Sequence, residues 1–136
     1  MKRNNNGSSA REASRLYLNL RAVIYGIILA FLWSGLIVLA FGFLGFYIQG
    51  WGEKTGALVF VAGLVGACLG AVAAARRVQS LGWLHGGLVG FGFIFASYLI
   101  GLIWETGTEP VTSVVLYRLF WGTALGLLGG MMGVNL

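Results

Sequence analysis

The side chains that could do chemistry are few in this chain, and its sequence does not group them. There is one histidine, His85, and one cysteine, Cys68. One of each cannot supply the three or four ligands that a zinc site needs, so neither a metal nor another cofactor is expected. The four carboxylates are Glu12, Glu53, Glu105 and Glu109. All four lie outside the apolar runs, so no intramembrane carboxylate pair is available for a proton relay. Arg118 is the one charge inside an apolar run. Such a charge marks function by default because burying it in lipid is costly. It also has a plain reading, in which the long side chain snorkels to the near interface and pairs with Glu105 or Glu109. His85 lies one turn inside another run, as an interfacial packing residue or as a polar site that titrates near neutral pH. It opens a four-residue spacing that reaches Ser97 and Gly101, which suits hydrogen bonding across helices. G-x-S-x-G, H-E-x-x-H, C-x-x-C and G-x-x-x-x-G-K are all absent, and no enzyme is expected.

The elements that carry these residues are membrane spans. Of 136 residues, 58% are hydrophobic and 10% charged, against about 25% charged in a soluble domain. The predicted fold is all-α, a polytopic membrane protein of four antiparallel helices packed through Gly/Ala faces. The spans are expected at 22–48, 55–75, 81–104 and 111–134, joined by turns of about six residues that force neighbours to be antiparallel. The tail 1–21 is polar and basic. Within it, Ser9-Ala10-Arg11-Glu12 fits a capping box and predicts an interfacial helix from about residue 10.

Nine Lys+Arg face four Asp+Glu, and their distribution sets the expected orientation. Seven of the nine fall in the tail, counting Arg21, and at the Arg76-Arg77 turn. By the positive-inside bias both termini should face the cytoplasm, in a cell (inner) membrane. No basic face is available for a nucleic acid; the lipid bilayer is the expected partner.

Glycine supplies the packing signal. There are 23, well above the usual share of about 7%. Two adjacent rows on the second span are wholly small: Ala62, Gly66, Gly70, Ala74 and Gly63, Ala67, Ala71, Ala75. Gly82, Gly86 and Gly90 open the third span, and Gly122, Gly126 and Gly130 line the fourth, with Gly129 and Gly133 as a second pair. Gly26, Ala30 and Ser34 make a shorter row on the first. Small residues let membrane helices approach until their backbones touch. The second and third spans are therefore expected to pack closely on each other across the Arg76-Arg77 turn, with Val65, Leu69 and Val72 turned to lipid. An offset of sixty aligns Gly26 with Gly86 and Gly66 with Gly126, as a duplicated hairpin would.

Ala22-x-x-Tyr25-Gly26, the Gly63–Gly70 stretch and Gly82-Trp83-x-His85-Gly86-x-x-x-Gly90 resemble the pattern of a family of small four-span membrane proteins from Gram-positive bacteria of the Bacillus/Clostridium group. The likeness runs from Arg15 onward and implies a bacterial membrane protein without an assigned activity. The functional expectation is an interaction or assembly component that forms a homo-oligomer or joins a membrane-protein partner. The alternative is a small oligomeric channel or transporter using Arg118 and His85.

Overall fold

In lipid every backbone N–H and C=O must find its partner within the protein, so an apolar run of this length becomes a helix. A computed structural model describes residues 19–47, 55–78, 81–104 and 113–136. It contains four helices: α1 (Leu20–Tyr47), α2 (Thr55–Ala75), α3 (Gly82–Trp104) and α4 (Ser113–Asn135). All four are long and apolar enough to cross a membrane, and no strand occurs among the described residues. The protein is a multi-pass membrane protein. The tail helix expected from residue 10 lies outside the described residues, as do Glu105 and Glu109.

α2 and α3 each pack against all three other helices, while α1 and α4 flank them without a packed interface of their own. Apolar burial cannot hold such helices together in a solvent of apolar tails. Close van der Waals contact can, and glycine permits it. Along α1–α2, a methyl group added at Gly66 would stand 2.7 Å from the Ala30 carbonyl oxygen. One added at Gly26 would stand 2.9 Å from the Gly70 oxygen, and Gly70 lies against the Gly26 oxygen in return. Along α3–α4 the approach is longer and reciprocal. Gly82, Gly86 and Gly90 lie against the carbonyls of Gly130, Gly126 and Gly122. A third seam joins α2 to α4, where Gly129 and Gly133 would carry a methyl 2.7 and 2.6 Å from the Cys68 and Val72 oxygens.

This pattern corrects three expectations. The glycines of α2 and α3 do not pack on each other across the Arg76-Arg77 turn. Gly66 and Gly70 turn to α1, and Gly82, Gly86 and Gly90 turn to α4. α2 and α3 meet instead through side chains, in clusters of Val23, Ala71, Ala74 and Val89 and of Ala30, Ala67 and Phe93. Phe93 sets their separation: its ring fills the space in front of Gly63, where an added methyl would find it at 3.6 Å. Val65 and Leu69 are exposed, at 42% and 39%, but Val72 is half-buried because its backbone receives Gly133.

The duplication expected at sixty residues is also altered. Gly66 and Gly70 on α2 correspond to Gly126 and Gly130 on α4 at that offset. In contact register, however, Gly26 corresponds to Gly82 and Ala30 to Gly86. The two hairpins therefore share one packing scheme with a slip of one helical turn.

Candidate functional site

The polar chemistry of the described residues gathers where α1 and α3 begin. His85 is 1% exposed and is the one buried polar or charged side chain among the described residues. Its position one turn into α3, between Gly82 and Gly86 on the tight α3–α4 seam, brings the ring inward. The Asn19 backbone N–H donates to its Nε2 at 2.9 Å, and its Nδ1 lies 2.9 Å from the Leu81 carbonyl oxygen. A carbonyl only accepts, so Nδ1 carries the proton and Nε2 is the acceptor. Asn19 caps α1, its oxygen accepting from the N–H groups of Ala22 (2.9 Å) and Val23 (3.2 Å). Leu81 does the same for α3, accepting from Leu84 (3.0 Å) and from the His85 backbone (3.1 Å). One imidazole thus ties together the capping residues of two parallel helices.

Leu81 stands in the left-handed region at φ 57°, a conformation uncommon for a residue that carries a Cβ and costing about 1–3 kcal/mol. The His85 Nδ1 bond to its carbonyl stabilises that conformation. With both ring nitrogens engaged and no solvent access, His85 is built to hold backbone. It is not free to relay protons or bind metal in this arrangement. The hydrogen bond across helices expected of His85 is the one to Asn19 at the start of α1, whereas Ser97 bonds within its own helix, its hydroxyl donating to the Phe93 carbonyl one turn back at 2.8 Å.

Arginines surround this end. α2 closes with a backbone turn in which Arg76, Arg77 and Val78 donate to Val72, Ala74 and Ala75 at 3.0–3.1 Å. That turn carries the Arg77 guanidinium over the Tyr25 ring, 3.6 Å from its centroid. Arg21, Arg76 and Arg77 are all exposed.

Arg118 lies elsewhere. The α3–α4 seam sets His85 level with Leu127, so Arg118 is about 13 Å further along the bundle axis at 1.5 Å per residue. The structure does not bring His85 and Arg118 together. Arg118 is exposed five residues into α4, with its guanidinium 5.9 Å from the Phe60 ring centroid. Phe60 stacks on Tyr117, which meets Trp121 edge-on, both pairs at 6.1 Å. An aromatic and cationic belt of this kind suits a membrane–water interface. Cys68 is a free thiol, half-buried on the α2 face that receives Gly129.

Of the residues singled out for packing, Ala62, Gly66, Ala67, Gly70 and Ala71 are buried on α2. Gly82, Gly86 and Gly90 are buried on α3, and Gly122, Gly126 and Gly130 on α4; Gly63 is half-buried behind Phe93. A feature not read from the sequence is the contrast within α1. Its first half is packed through Ala22, Val23, Gly26 and Ala30, and beyond Val38 nearly every residue is exposed. Gly35 and Gly42 on that second half have nothing within 4 Å of an added methyl. They are seven residues apart and so lie on one face.

No match is found among curated proteins or among solved structures. Residues 19–133, which include all four helices up to the last turn of α4, match the profile described as "protein of unknown function (DUF3792)". The chain is therefore a member of the DUF3792 family, whose function is unknown.

Proposed function

We propose that this protein is a membrane-embedded interaction component that engages another transmembrane helix, from a second copy or from a partner protein, through the second half of α1. The observation that supports this reading is the state of the α1 glycines. Gly26 is filled by α2 and α3, whereas Gly35 and Gly42 open on empty space. A face of two glycines one heptad apart is a groove that admits a neighbouring backbone. The flanking Leu36, Leu39 and Phe43 are exposed, at 50%, 71% and 68%, and would form the rim. α1 is also the longest helix, 28 residues against 21 for α2, and so reaches beyond its partner.

In this reading the chain has no catalytic role and its basic end faces the cytoplasm, where Arg21, Arg76 and Arg77 obey the positive-inside bias. The channel alternative has less support, since His85 and Arg118 lie at different depths and the His85 nitrogens are both occupied. Cross-linking in native membranes followed by purification through a C-terminal tag tests the proposal. A specific adduct, to a second copy or to one membrane protein, that disappears with Gly35→Leu and Gly42→Leu is the expected result. An adduct profile unchanged by both substitutions contradicts it.

A further inference from the structure

We propose that Arg21, Tyr25 and Arg77 form a binding site for the phosphate headgroup of an anionic phospholipid, seated at the end of the bundle where α1 begins. The geometry starts from the stack. Arg77 lies 3.6 Å over the Tyr25 ring, so the aromatic face engages the flat of the guanidinium and leaves its edge free. The N–H donors of arginine lie in that edge, in a fork that matches two phosphate oxygens. Arg21 is one turn before Tyr25 on the same helix, and residues four apart share a face. The Arg77 guanidinium thus covers the tyrosine from the turn that follows α2, and Arg21 lies one turn away on the same face of α1. Arg76 adds a third exposed positive charge beside them. No carboxylate side chain occurs among the described residues at this end to neutralise them.

Two neighbouring features favour a lipid over free phosphate. Leu20, Ile24 and Ile28 run along the exposed side of α1 from the same point, at 63%, 50% and 59% exposure. They offer an apolar track for acyl chains directly beneath the headgroup. Trp83, half exposed in the first turn of α3, is the residue type that sits at headgroup level. The Arg77 backbone is fixed by its N–H, which donates to Ala74 at 3.1 Å, and its guanidinium by the Tyr25 stack. The site is thus organised before the lipid arrives, which reduces the entropy lost on binding. Basic clusters between membrane helices bind anionic headgroups by this combination of charge and apolar surface.

The test is native mass spectrometry of the full chain in detergent, titrated separately with phosphatidylglycerol, phosphatidylcholine and inorganic phosphate. Phosphatidylglycerol should be retained in preference to phosphatidylcholine, and raised salt should weaken its retention in the wild-type protein. Arg21→Gln and Arg77→Gln should each weaken it about fivefold, the equivalent of about 1 kcal/mol per arginine near a charged surface. Arg77→Lys should weaken it too, because an ammonium group lacks the fork. Arg118→Gln, remote from the site, should leave it unchanged. Helix content by circular dichroism separates loss of the site from loss of the fold, and the salt titration needs no variant. Equal retention of the two lipids, or glutamine variants that bind like wild type, would overturn the proposal. So would a thermal stabilisation by inorganic phosphate equal to that by phosphatidylglycerol, since the site would then recognise free phosphate.

Discussion

His85 accepts the Asn19 backbone N–H at 2.9 Å across sixty-six residues of sequence, and the same ring holds the Leu81 carbonyl. The start of α1 and the start of α3 are therefore one unit. His85→Leu keeps the apolar volume but leaves the Asn19 donor without its acceptor and removes a support from Leu81. Asn19 is itself exposed, so the expected cost is about 0.5–1.5 kcal/mol, the net worth of a hydrogen bond, measured by denaturant titration in detergent micelles. Leu81→Gly should partly restore the variant, because glycine adopts a positive φ without strain. A His85→Leu protein as stable as wild type would show that the imidazole does not hold the two caps together.

The glycines divide into those that permit backbone contact and those that do not. Gly86→Ala places a methyl against the Gly126 carbonyl and the Gly130 backbone, and neither can yield without opening the α3–α4 seam. Overpacking of that kind costs about 1–3 kcal/mol. Gly101→Ala meets nothing within 4 Å. It should leave stability unchanged or raise it by up to about 1 kcal/mol, the helix-propensity gain of alanine over glycine. Unfolding titrations of the two variants side by side check the assignment; equal effects would mean that the seams are placed wrongly.

Arg118 should contribute little to stability. Its one ring contact within the described residues, with Phe60, is long at 5.9 Å, and a cation–π pair at an exposed site is worth about 0.5–1 kcal/mol. Arg118→Leu is expected to fold and to assemble like wild type. Liposomes carrying the wild-type protein are expected to show no ion flux. A flux abolished by Arg118→Leu would favour the channel reading over the assembly reading.

Much of this architecture is legible in residue types, and what is not legible has a physical reason. Four apolar runs long enough to cross a bilayer, with Arg118 their one charge, specify four helices, and the small rows on α2 announce a flat surface. A flat surface does not name its neighbour, however. The nearest candidate in sequence for Gly66 and Gly70 is α3, but Phe93 on α3 holds that helix away, and Gly26 and Ala30 on α1 take its place. Spacing alone cannot reveal this, because it depends on which large side chain points into which groove. The link between His85 and Asn19 is hidden for a different reason: the acceptor is a side chain but the donor is backbone, and any residue but proline offers the same N–H. Arg77 and Tyr25 are each visible as interfacial residues. Their stacking depends on the extra turn of backbone that follows Ala75.

Orientation has its own test. If the end carrying Arg21, Arg76 and Arg77 faces the cytoplasm, a reporter fused after Leu136 should be active in its cytoplasmic form and silent in its exported form. Replacing Arg76 and Arg77 by glutamine should reduce that bias, since the basic residues of short loops set topology. A C-terminal reporter active only outside would reverse the orientation.

The central claim is that the second half of α1 meets another helix through the Gly35 and Gly42 face. The most direct measurement is disulfide cross-linking in membranes of single-cysteine proteins, with Cys68→Ser as background and cysteine introduced in turn at positions 35, 37, 42 and 44. Contact between two copies predicts covalent dimers strongest at 35 and 42 and weak at 37 and 44, which lie on the opposite side of the helix. Contact with a different partner predicts a heterologous adduct at the same two positions when a bifunctional thiol reagent is used. Uniformly weak cross-linking at every position, by both routes, would mean that this face meets only lipid and would contradict the account.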